Sequence, residues 1–241
     1  MRNLFAALVF LSAPAFADNI APLSTADCAA MKAHHVLNDG APVGCARLAT
    51  VTFTYVDFEG RSHDDGRVVV LDALAPRVLK IFQEMKAQGF PISKARPVEA
   101  YEGSDDASMA DDNTSSFNHR PIAGSNRLSL HAYGAAIDIN PRENPYLTFS
   151  GATVTVAPPQ GAGFLNRLQQ RPGKPARPGM AESVVAIFTR NGFSNWGGFW
   201  DEPIDYQHFD ITRALAERLA SLPPEEARAA FEQMIAVSSA P

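Results

Sequence analysis

Several features that define common protein classes are scarce or missing in this chain of 241 residues. Basic residues are outnumbered, with 21 Lys and Arg against 26 Asp and Glu, and the net charge at pH 7 is −5. The basic residues form no stripe along the sequence, which argues against nucleic acid as a partner. After residue 17, no stretch approaches the ~20 apolar residues that a transmembrane helix needs. We therefore expect neither a nucleic-acid-binding nor a membrane-spanning protein.

Cysteine is equally scarce, since the chain contains only Cys28 and Cys45. No C-x-x-C pair accompanies them, which makes a zinc site built on their two thiolates the weaker interpretation. In an exported protein the default is a disulfide. Closing this interval of 17 residues (45 − 28) would stabilise the fold by roughly 3 kcal/mol through loop entropy.

Motifs of the commonest hydrolases are missing as well. Ser129 lies two residues before His131, but no G-x-S-x-G turn surrounds it, so a serine nucleophile is the weaker interpretation. The H-E-x-x-H helix of many zinc proteases does not occur either. Any reaction centre must therefore be assembled from separate segments of the chain.

The N-terminus carries the pattern of an export signal. Arg2 precedes an apolar run from Leu4 to Leu11, and the segment closes on small residues at Ala15 and Ala17. This layout is typical of a secretory signal peptide, residues 1–17, whereas a buried N-terminal helix is less favoured because the run begins at the initiator Met. We expect a mature protein of 224 residues (241 − 17), periplasmic or secreted, soluble and monomeric.

The remaining pattern mixes helices and strands without a regular β-α-β rhythm. Periodicity and capping residues predict helices at 24–37, 72–88 and 180–192 and two more after 213, and strands at 50–58, 95–101, 135–140 and within 195–212. This mixture predicts an α+β fold, a single domain with a central antiparallel sheet flanked by helices. The stretch 157–179 is rich in Pro and Gly and is predicted to be an irregular surface excursion.

Residues 103–118 are too polar for a core and are predicted to form a long loop. Asp105, Asp106, Asp111 and Asp112 lie within it. Their spacing is not that of a calcium loop, so we expect them to be solvated.

Two short segments bring imidazoles next to carboxylates. In a strand over 135–140, Asp138 would project opposite the isoleucines, with His131 reaching it from the preceding turn and Gly134 allowing the bend. A second segment places Asp205 three residues before His208. Two imidazoles and one carboxylate make a three-ligand zinc set with an open fourth position. From spacing alone, such pairs are more often structural.

The motifs themselves carry a resemblance. S-L-H-A-Y-G-A-A-I-D (129–138) fits the signature S-x-H-x-x-G-x-A-x-D of the zinc D-alanyl-D-alanine carboxypeptidases and endopeptidases, the LAS-type peptidoglycan peptidases. D-Y-Q-H (205–208) fits the second motif of that family, and N-T-S-S-F-N-H-R (113–120) is similar to its arginine segment. Two further stretches, 138–146 and 196–209, look like the branch of carboxypeptidase-like core proteins. The resemblance covers roughly residues 50–212.

This resemblance implies a zinc ion, a cleft on the sheet and a set of roles. His131, Asp138 and His208 would be the zinc ligands. Asp205 would be the general base and then the acid. It takes the place of a Glu found in part of the family, and because Asp is one methylene shorter, its reach depends on the loop 202–204.

Other residues receive less specific roles. Arg120 would hold a substrate carboxylate or carbonyl oxygen, and Ser129 would support the first motif by a hydrogen bond. Trp196 and Tyr206 are candidates for substrate binding, although core packing is common for such residues.

The sequence thus predicts an exported zinc peptidase that hydrolyses peptidoglycan stem peptides next to a D-amino acid. The domains would be an N-terminal extension (18–49), the peptidase core (50–212) and C-terminal helices (213–241), with the signal peptide before them. The alternatives are a non-catalytic cell-wall peptide-binding module on the same scaffold and, least favoured, a glycosidase using Asp201 and Glu202.

Overall fold

A computed structural model describes residues 18–238 of the chain, so the predicted signal peptide lies outside the described residues. The strands are, in chain order, β1 (Asn19–Pro22), β2 (Leu48–Val56), β3 (Ser62–Leu71), β4 (Lys94–Ala95), β5 (Asn113–Thr114), β6 (Ala136–Asp138), β7 (Tyr146–Ser150), β8 (Thr153–Ala157), β9 (Asn195–Trp196), β10 (Ile204–Asp205) and β11 (His208–Asp210). The α-helices are α1 (Thr25–Ala33), α2 (Ala75–Ala87), α3 (Asp105–Ala110), α4 (Val185–Arg190), α5 (Arg213–Ser221) and α6 (Pro224–Ser238).

Most strands belong to three antiparallel sheets of three strands each. Their orders are β1-β2-β3, β10-β7-β8 and β6-β11-β9, and β4 and β5 form a short parallel pair. The predicted α+β class is confirmed, with the antiparallel strands divided among three sheets instead of one central sheet. None of the described helices is long and apolar enough to cross a membrane.

The N-terminal sheet carries the largest part of the core. Val51, Phe53 and Tyr55 of β2 are buried while the threonines between them are half-exposed, as the alternation predicts. Helix α2 covers this sheet, and the ring of Phe82 stacks on Phe53 with centroids 3.7 Å apart. On the neighbouring strand β3, Gly66 lies directly opposite Phe53. A Cβ at position 66 would lie 2.7 Å from the Phe53 ring, so the packing requires glycine there.

The predicted N-terminal extension is part of this same sheet. Strand β1 pairs with β2, with Ile20 opposite Val51. Cys28 on α1 is bonded to Cys45, with their Cα atoms 5.8 Å apart, which confirms the predicted disulfide. The bond fastens α1 to the residues that lead into β2.

The predicted C-terminal helices are α5 and α6, and they dock onto the N-terminal sheet. Arg47, at the start of β2, donates from Nη1 to the carbonyl oxygens of Ala220 (2.9 Å) and Leu222 (2.7 Å). The same guanidinium donates from Nε to Asp72 at 2.9 Å. A cation at these carbonyls stabilises the C-terminal end of α5.

The predicted strand over 95–101 is wrong. Strand β4 ends at Ala95, and Val98–Tyr101 form a 3-10 helix. Pro97 between them has no N–H to donate to a neighbouring strand, so pairing cannot continue through it.

The expected solvation of Asp112 is wrong, and so is the predicted long loop over 103–118. It contains α3 and β5, and Asp112 and the residues from Asn113 to Asn118 are buried. Their polar groups find partners inside the protein: Asn113 donates from Nδ2 to the Arg96 carbonyl oxygen and to Ser108 Oγ, both at 2.9 Å. Polar composition did not predict burial because partners such as Arg96 lie outside the segment.

Two buried carboxyl groups face each other beside this segment. Asp112 and Glu143 are 2% and 7% exposed, and Asp112 Oδ1 accepts a hydrogen bond from the Arg142 N–H at 2.9 Å. Burial, reinforced by the negative charge of Asp112, raises the pKa of Glu143 to about 8. Glu143 is therefore protonated at neutral pH in the folded protein.

This pair predicts a loss of stability as pH rises. The folded protein holds a proton on Glu143 up to about pH 8, whereas the unfolded chain releases it near its ordinary pKa of 4.5. The free energy of unfolding should therefore fall between these two values. We expect Glu143→Gln to be more stable than the parent protein at pH 8, by about 1 kcal/mol or more, when unfolding in urea is measured at pH 5 and pH 8. The exposed Glu217→Gln is the control, and an equal pH slope in all three proteins would contradict the assignment.

Candidate metal centre

His131 comes from a tight turn, as the sequence predicts. It lies in the 3-10 helix Leu130–Tyr133, whose first turn is capped by Ser129, with Oγ accepting a hydrogen bond from the His131 N–H at 3.3 Å. Gly134 ends this turn with φ of 63°, a left-handed conformation that favours glycine. The predicted supporting role of Ser129 thus has a visible basis, a cap on the turn that carries His131.

Gly134 also presses the turn against the N-terminal sheet. Its carbonyl oxygen accepts a hydrogen bond from the Leu71 N–H at 3.0 Å. A Cβ at Gly134 would lie 2.5 Å from that same nitrogen. The backbone of β3 therefore sets the depth at which His131 enters the site.

The other two residues of the cluster face each other across a strand pair. β6 and β11 are antiparallel, with Asp138 directly opposite His208, which places both side chains on one face. The predicted strand over 135–140 is shorter than expected, because Asn140 has a φ of 40° and its side chain accepts a hydrogen bond from Ser93 N–H. Strand β6 therefore ends at Asp138, which is the last residue on this face of the strand.

The structure brings His131, Asp138 and His208 together, all buried. His131 Nε2 is 3.1 Å from Asp138 Oδ2, and His208 Nδ1 is 3.0 Å from Asp138 Oδ1. The two ring nitrogens are 3.2 Å apart. Three potential ligand atoms therefore converge on one point from three elements of the fold.

Hydrogen bonds on the far side of each ring fix which nitrogen faces this point. His131 Nδ1 is 2.5 Å from the Ser116 carbonyl oxygen, which can only accept, so Nδ1 carries the proton. His208 Nε2 is 2.9 Å from Asp210 Oδ2 and donates to that carboxylate. With a neutral ring, each histidine thus turns an unprotonated nitrogen toward Asp138.

This arrangement fits a metal ion. Two imidazole lone pairs and a carboxylate cannot donate hydrogen bonds to one another, so they need a cation between them. The two imidazole nitrogens are 3.2 Å apart, and each lies 3.0–3.1 Å from a different oxygen of the Asp138 carboxylate. These separations are close to the ~3.3 Å edge of a tetrahedral site with bonds of about 2.0 Å. The donor set, two nitrogens and one carboxylate oxygen, suits a catalytic site with a free fourth position.

The charges within the cluster change the pKa values of His208 and Asp138. Burial favours the neutral form of His208, but hydrogen bonds to Asp138 and Asp210 outweigh burial and raise the pKa of His208 well above its ordinary value. Burial likewise opposes the charge of Asp138, yet His131 and His208 together lower the pKa of Asp138. Without a metal, the cluster holds a proton in its place.

Asp205 lies beside this cluster on β10. Its Oδ1 is enclosed and has no hydrogen-bond partner within residues 18–238. Burial and then the charge of Asp138 raise the pKa of Asp205 to about 7. Gly197 packs against it so closely that a Cβ on Gly197 would lie 2.4 Å from the Asp205 carbonyl oxygen. A carboxyl group with a pKa near neutrality, held against a candidate metal site, is suited to proton transfer.

Arg120 lies at the edge of this group. Its Nη2 is paired with Asp105 Oδ2 of α3 at 2.8 Å, and its Nε is enclosed without a hydrogen-bond partner in the described part of the chain. Its charge acts on the phenol of Tyr146, as does that of Asp205. Arg120 and Asp205 therefore both lie close enough to Tyr146 to influence the pKa of its phenol.

Trp196 and Tyr206, predicted to bind substrate, have structural contacts. Trp196 is 6% exposed, its ring lies parallel to Phe209, and its Nε1 donates to the Tyr206 carbonyl oxygen at 2.9 Å. The guanidinium of Arg167 lies over the Tyr206 ring, 4.2 Å from its centroid. Trp196 belongs to the core behind β11, and substrate binding by either residue stays a prediction.

Two further groups, Asp210 and the Ser116 carbonyl, orient the site and were not predicted from the sequence. Asp210 lies two residues after His208, and the i, i+2 spacing on a strand is the signal that could have identified it. It is itself fixed by Asn195, whose Nδ2 donates to Asp210 Oδ1 at 2.7 Å. The carbonyl of Ser116 left no such signal, because any residue type could supply it.

Comparison with known proteins agrees with the motifs. Residues 123–211 match the family model described as D-alanyl-D-alanine carboxypeptidase. The three ligand candidates and Asp205 lie inside this segment, and Arg120 lies three residues before it (123 − 120). No match was found among curated proteins or among solved structures. The match confirms the predicted resemblance and supports a peptidoglycan-related peptidase.

We expect the protein to bind one metal ion per chain at this cluster. His131→Ala removes a ligand and should abolish stoichiometric binding, and Asp210→Asn, which weakens the orientation of His208, should lower the affinity by ~10–100-fold. Metal content after dialysis and titration calorimetry measure both. Binding should also release protons at neutral pH, because the metal replaces the proton on His208.

His63→Ala is the matched control for metal binding, since His63 lies on the N-terminal sheet and pairs with Asp57 at 2.8 Å. Equal metal content in His131→Ala and His63→Ala would contradict the assignment of the ligands.

The close contact at Gly134 predicts a loss of stability on substitution. Gly134→Ala adds the strain of a left-handed residue and a clash with the backbone of β3, for a total of about 2 kcal/mol or more. Gly151→Ala is the matched control, because Gly151 has φ of 58° and open space around it, so it should lose only ~1 kcal/mol. Urea unfolding compares the two, and equal losses would show that the contact with Leu71 is unimportant.

Proposed function

From its similarity to D-alanyl-D-alanine carboxypeptidases, we propose that this protein is an exported zinc peptidase that hydrolyses peptidoglycan stem peptides next to a D-amino acid. The observation that carries the proposal is the position of Asp205, an enclosed carboxyl group with a pKa of about 7 beside three converging ligand atoms. A binding module needs no such group. The bond is of the D-Ala-D-Ala carboxypeptidase or the L-Ala-D-Glu endopeptidase type.

His131, Asp138 and His208 would hold the zinc ion. A zinc ion bound there supplies a Lewis acid that makes water nucleophilic at neutral pH and polarises the scissile carbonyl. Asp205 accepts a proton from the attacking water as the new C–O bond forms. It then delivers that proton to the leaving nitrogen as the C–N bond breaks, so that one water is consumed for each peptide cleaved.

The surrounding residues orient the reaction. Arg120 would face a substrate carboxylate or the oxygen on which negative charge develops, with Asp105 fixing the guanidinium from the other side. Asp210 and the Ser116 carbonyl keep the two imidazoles in the ligating tautomer. Ser129 maintains the turn that carries His131. Trp196 supports β11 from the core, and Tyr206 lines the rim.

Export is supported by the disulfide and by the N-terminal sequence pattern. A Cys28–Cys45 bond persists in an oxidising compartment. Peptidoglycan lies in such a compartment, where a monomer of this size would reach its stem peptides directly.

We expect Asp205→Asn to lose hydrolysis while keeping the metal. The amide cannot accept the proton of the attacking water, so kcat should fall by ~10²–10⁴-fold. Incubation of the mature protein with peptidoglycan fragments, followed by mass analysis of the released peptides, measures the loss. The acidic limb of the pH–rate profile should follow ionisation of Asp205, with activity rising as the carboxyl group loses its proton.

The matched variant is Asp205→Glu, which keeps the carboxylate on a longer side chain and should retain part of the activity. Metal content must be equal in the three proteins for the comparison to hold. Unchanged cleavage by Asp205→Asn, or cleavage that survives removal of the metal by a chelator, would refute the proposed mechanism. Binding of fragments without cleavage by the parent protein would instead indicate the non-catalytic module.

A further inference from the structure

Tyr146 is the residue at which the hairpin β7–β8 joins the candidate site. Along β7 the residues alternate, with Tyr146 and Thr148 on one face and Leu147 on the other. Leu147 is 5% exposed and packs inside, whereas Tyr146 is half-buried. One face of the hairpin is therefore polar and accessible, and Tyr146 is its first residue.

The strand register places this phenol beside the proposed base. β10 pairs with β7 so that Asp205 lies directly opposite Tyr146. Directly opposed residues in an antiparallel pair have their side chains on the same face, with Cβ atoms about 4.5–5.5 Å apart. On its other side Tyr146 is opposite Ala157, whose methyl group leaves room around the ring.

The charges of the site reach the same phenol. Burial and then the negative charge of Asp205 raise the pKa of Tyr146, and the positive charge of Arg120 acts in the opposite direction. The net direction keeps the hydroxyl protonated, and hence a hydrogen-bond donor, throughout the neutral range.

The hydroxyl group of Tyr146 makes no hydrogen bond with another part of the chain within residues 18–238. If its role were to position Asp205, a hydrogen bond between the two side chains would be present without substrate. A half-buried donor that faces the base, and that the protein itself leaves unused, is instead available to a ligand.

We propose that the Tyr146 hydroxyl contacts the substrate and donates a hydrogen bond to a carbonyl oxygen of the peptide beside the scissile bond. This inference rests on the proposed peptidase function and deepens it, because it adds a donor on the Asp205 side of the cleft. Tyr146 would then act in catalysis or substrate alignment together with Arg120, whose guanidinium approaches from the side of α3.

The test is Tyr146→Phe, which removes the hydroxyl and keeps the ring. We expect kcat/KM on peptidoglycan fragments to fall at least tenfold, while zinc content and urea unfolding stay as in the parent protein. Tyr55→Phe is the matched control, since Tyr55 is buried on β2 of the N-terminal sheet with its ring stacked on His63, 5.0 Å between centroids. It should keep full activity.

A second measurement does not depend on turnover. In the Asp205→Asn background, the affinity for an intact stem peptide is measured by calorimetry with and without the Tyr146→Phe substitution. Loss of a hydrogen bond to the bound peptide should weaken binding by about two- to tenfold.

The outcomes separate this inference from the proposed function. If the parent protein cleaves and Tyr146→Phe cleaves equally well with equal peptide affinity, the inference is overturned and the peptidase function stands. If the parent protein does not cleave, the peptidase function fails, and Tyr146 is decided by the binding measurement alone. Weaker binding in the protein that carries Tyr146→Phe then supports a ligand contact, and equal or undetectable binding overturns it.

Discussion

The convergence of two imidazoles and a carboxylate on one buried point is the constraint on which the rest of the structure depends. These groups are acceptors toward one another, because Ser116 and Asp210 hold the ring protons on the far sides. Burying two ring nitrogens and a carboxylate at separations of 3.0–3.2 Å is costly unless a cation lies between them. The geometry therefore requires either a metal ion or bound protons, and it must be maintained by the surrounding fold.

The fold maintains this geometry through close contacts between backbone segments. Gly134 lets the turn of His131 rest directly on β3, and Gly197 lets the turn after β9 rest on Asp205. In both cases a single methyl group would displace a residue of the candidate site. The N-terminal sheet thus determines the position of the first candidate ligand through a contact at Leu71.

The clustering of the candidate site could be predicted because the motif places His131 and Asp138 within one short segment and Asp205 near His208. Their surroundings could not. The polar composition of residues 103–118 predicts a long loop, yet residues 112–118 are buried, with partners such as Arg96 outside the segment. Tyr146 ends a stretch that resembles the family, but its relation to Asp205 could not be predicted, since it arises from a strand register between residues 59 positions apart (205 − 146). Local patterns identify ligand types, whereas register and close packing determine which other groups join them.

The use of Asp as the proposed base explains why that packing is so tight. An Asp side chain has one rotatable bond fewer than Glu, so it cannot compensate for a displaced backbone by changing its conformation. Its carboxyl group is placed by the backbone of β10, and β10 is held between β7 on one side and Gly197 on the other. A shorter base therefore demands a more closely fitted strand. The same strand pairing that fixes Asp205 also places Tyr146 directly opposite it, so the positions of the proposed base and of the proposed additional donor have one structural cause.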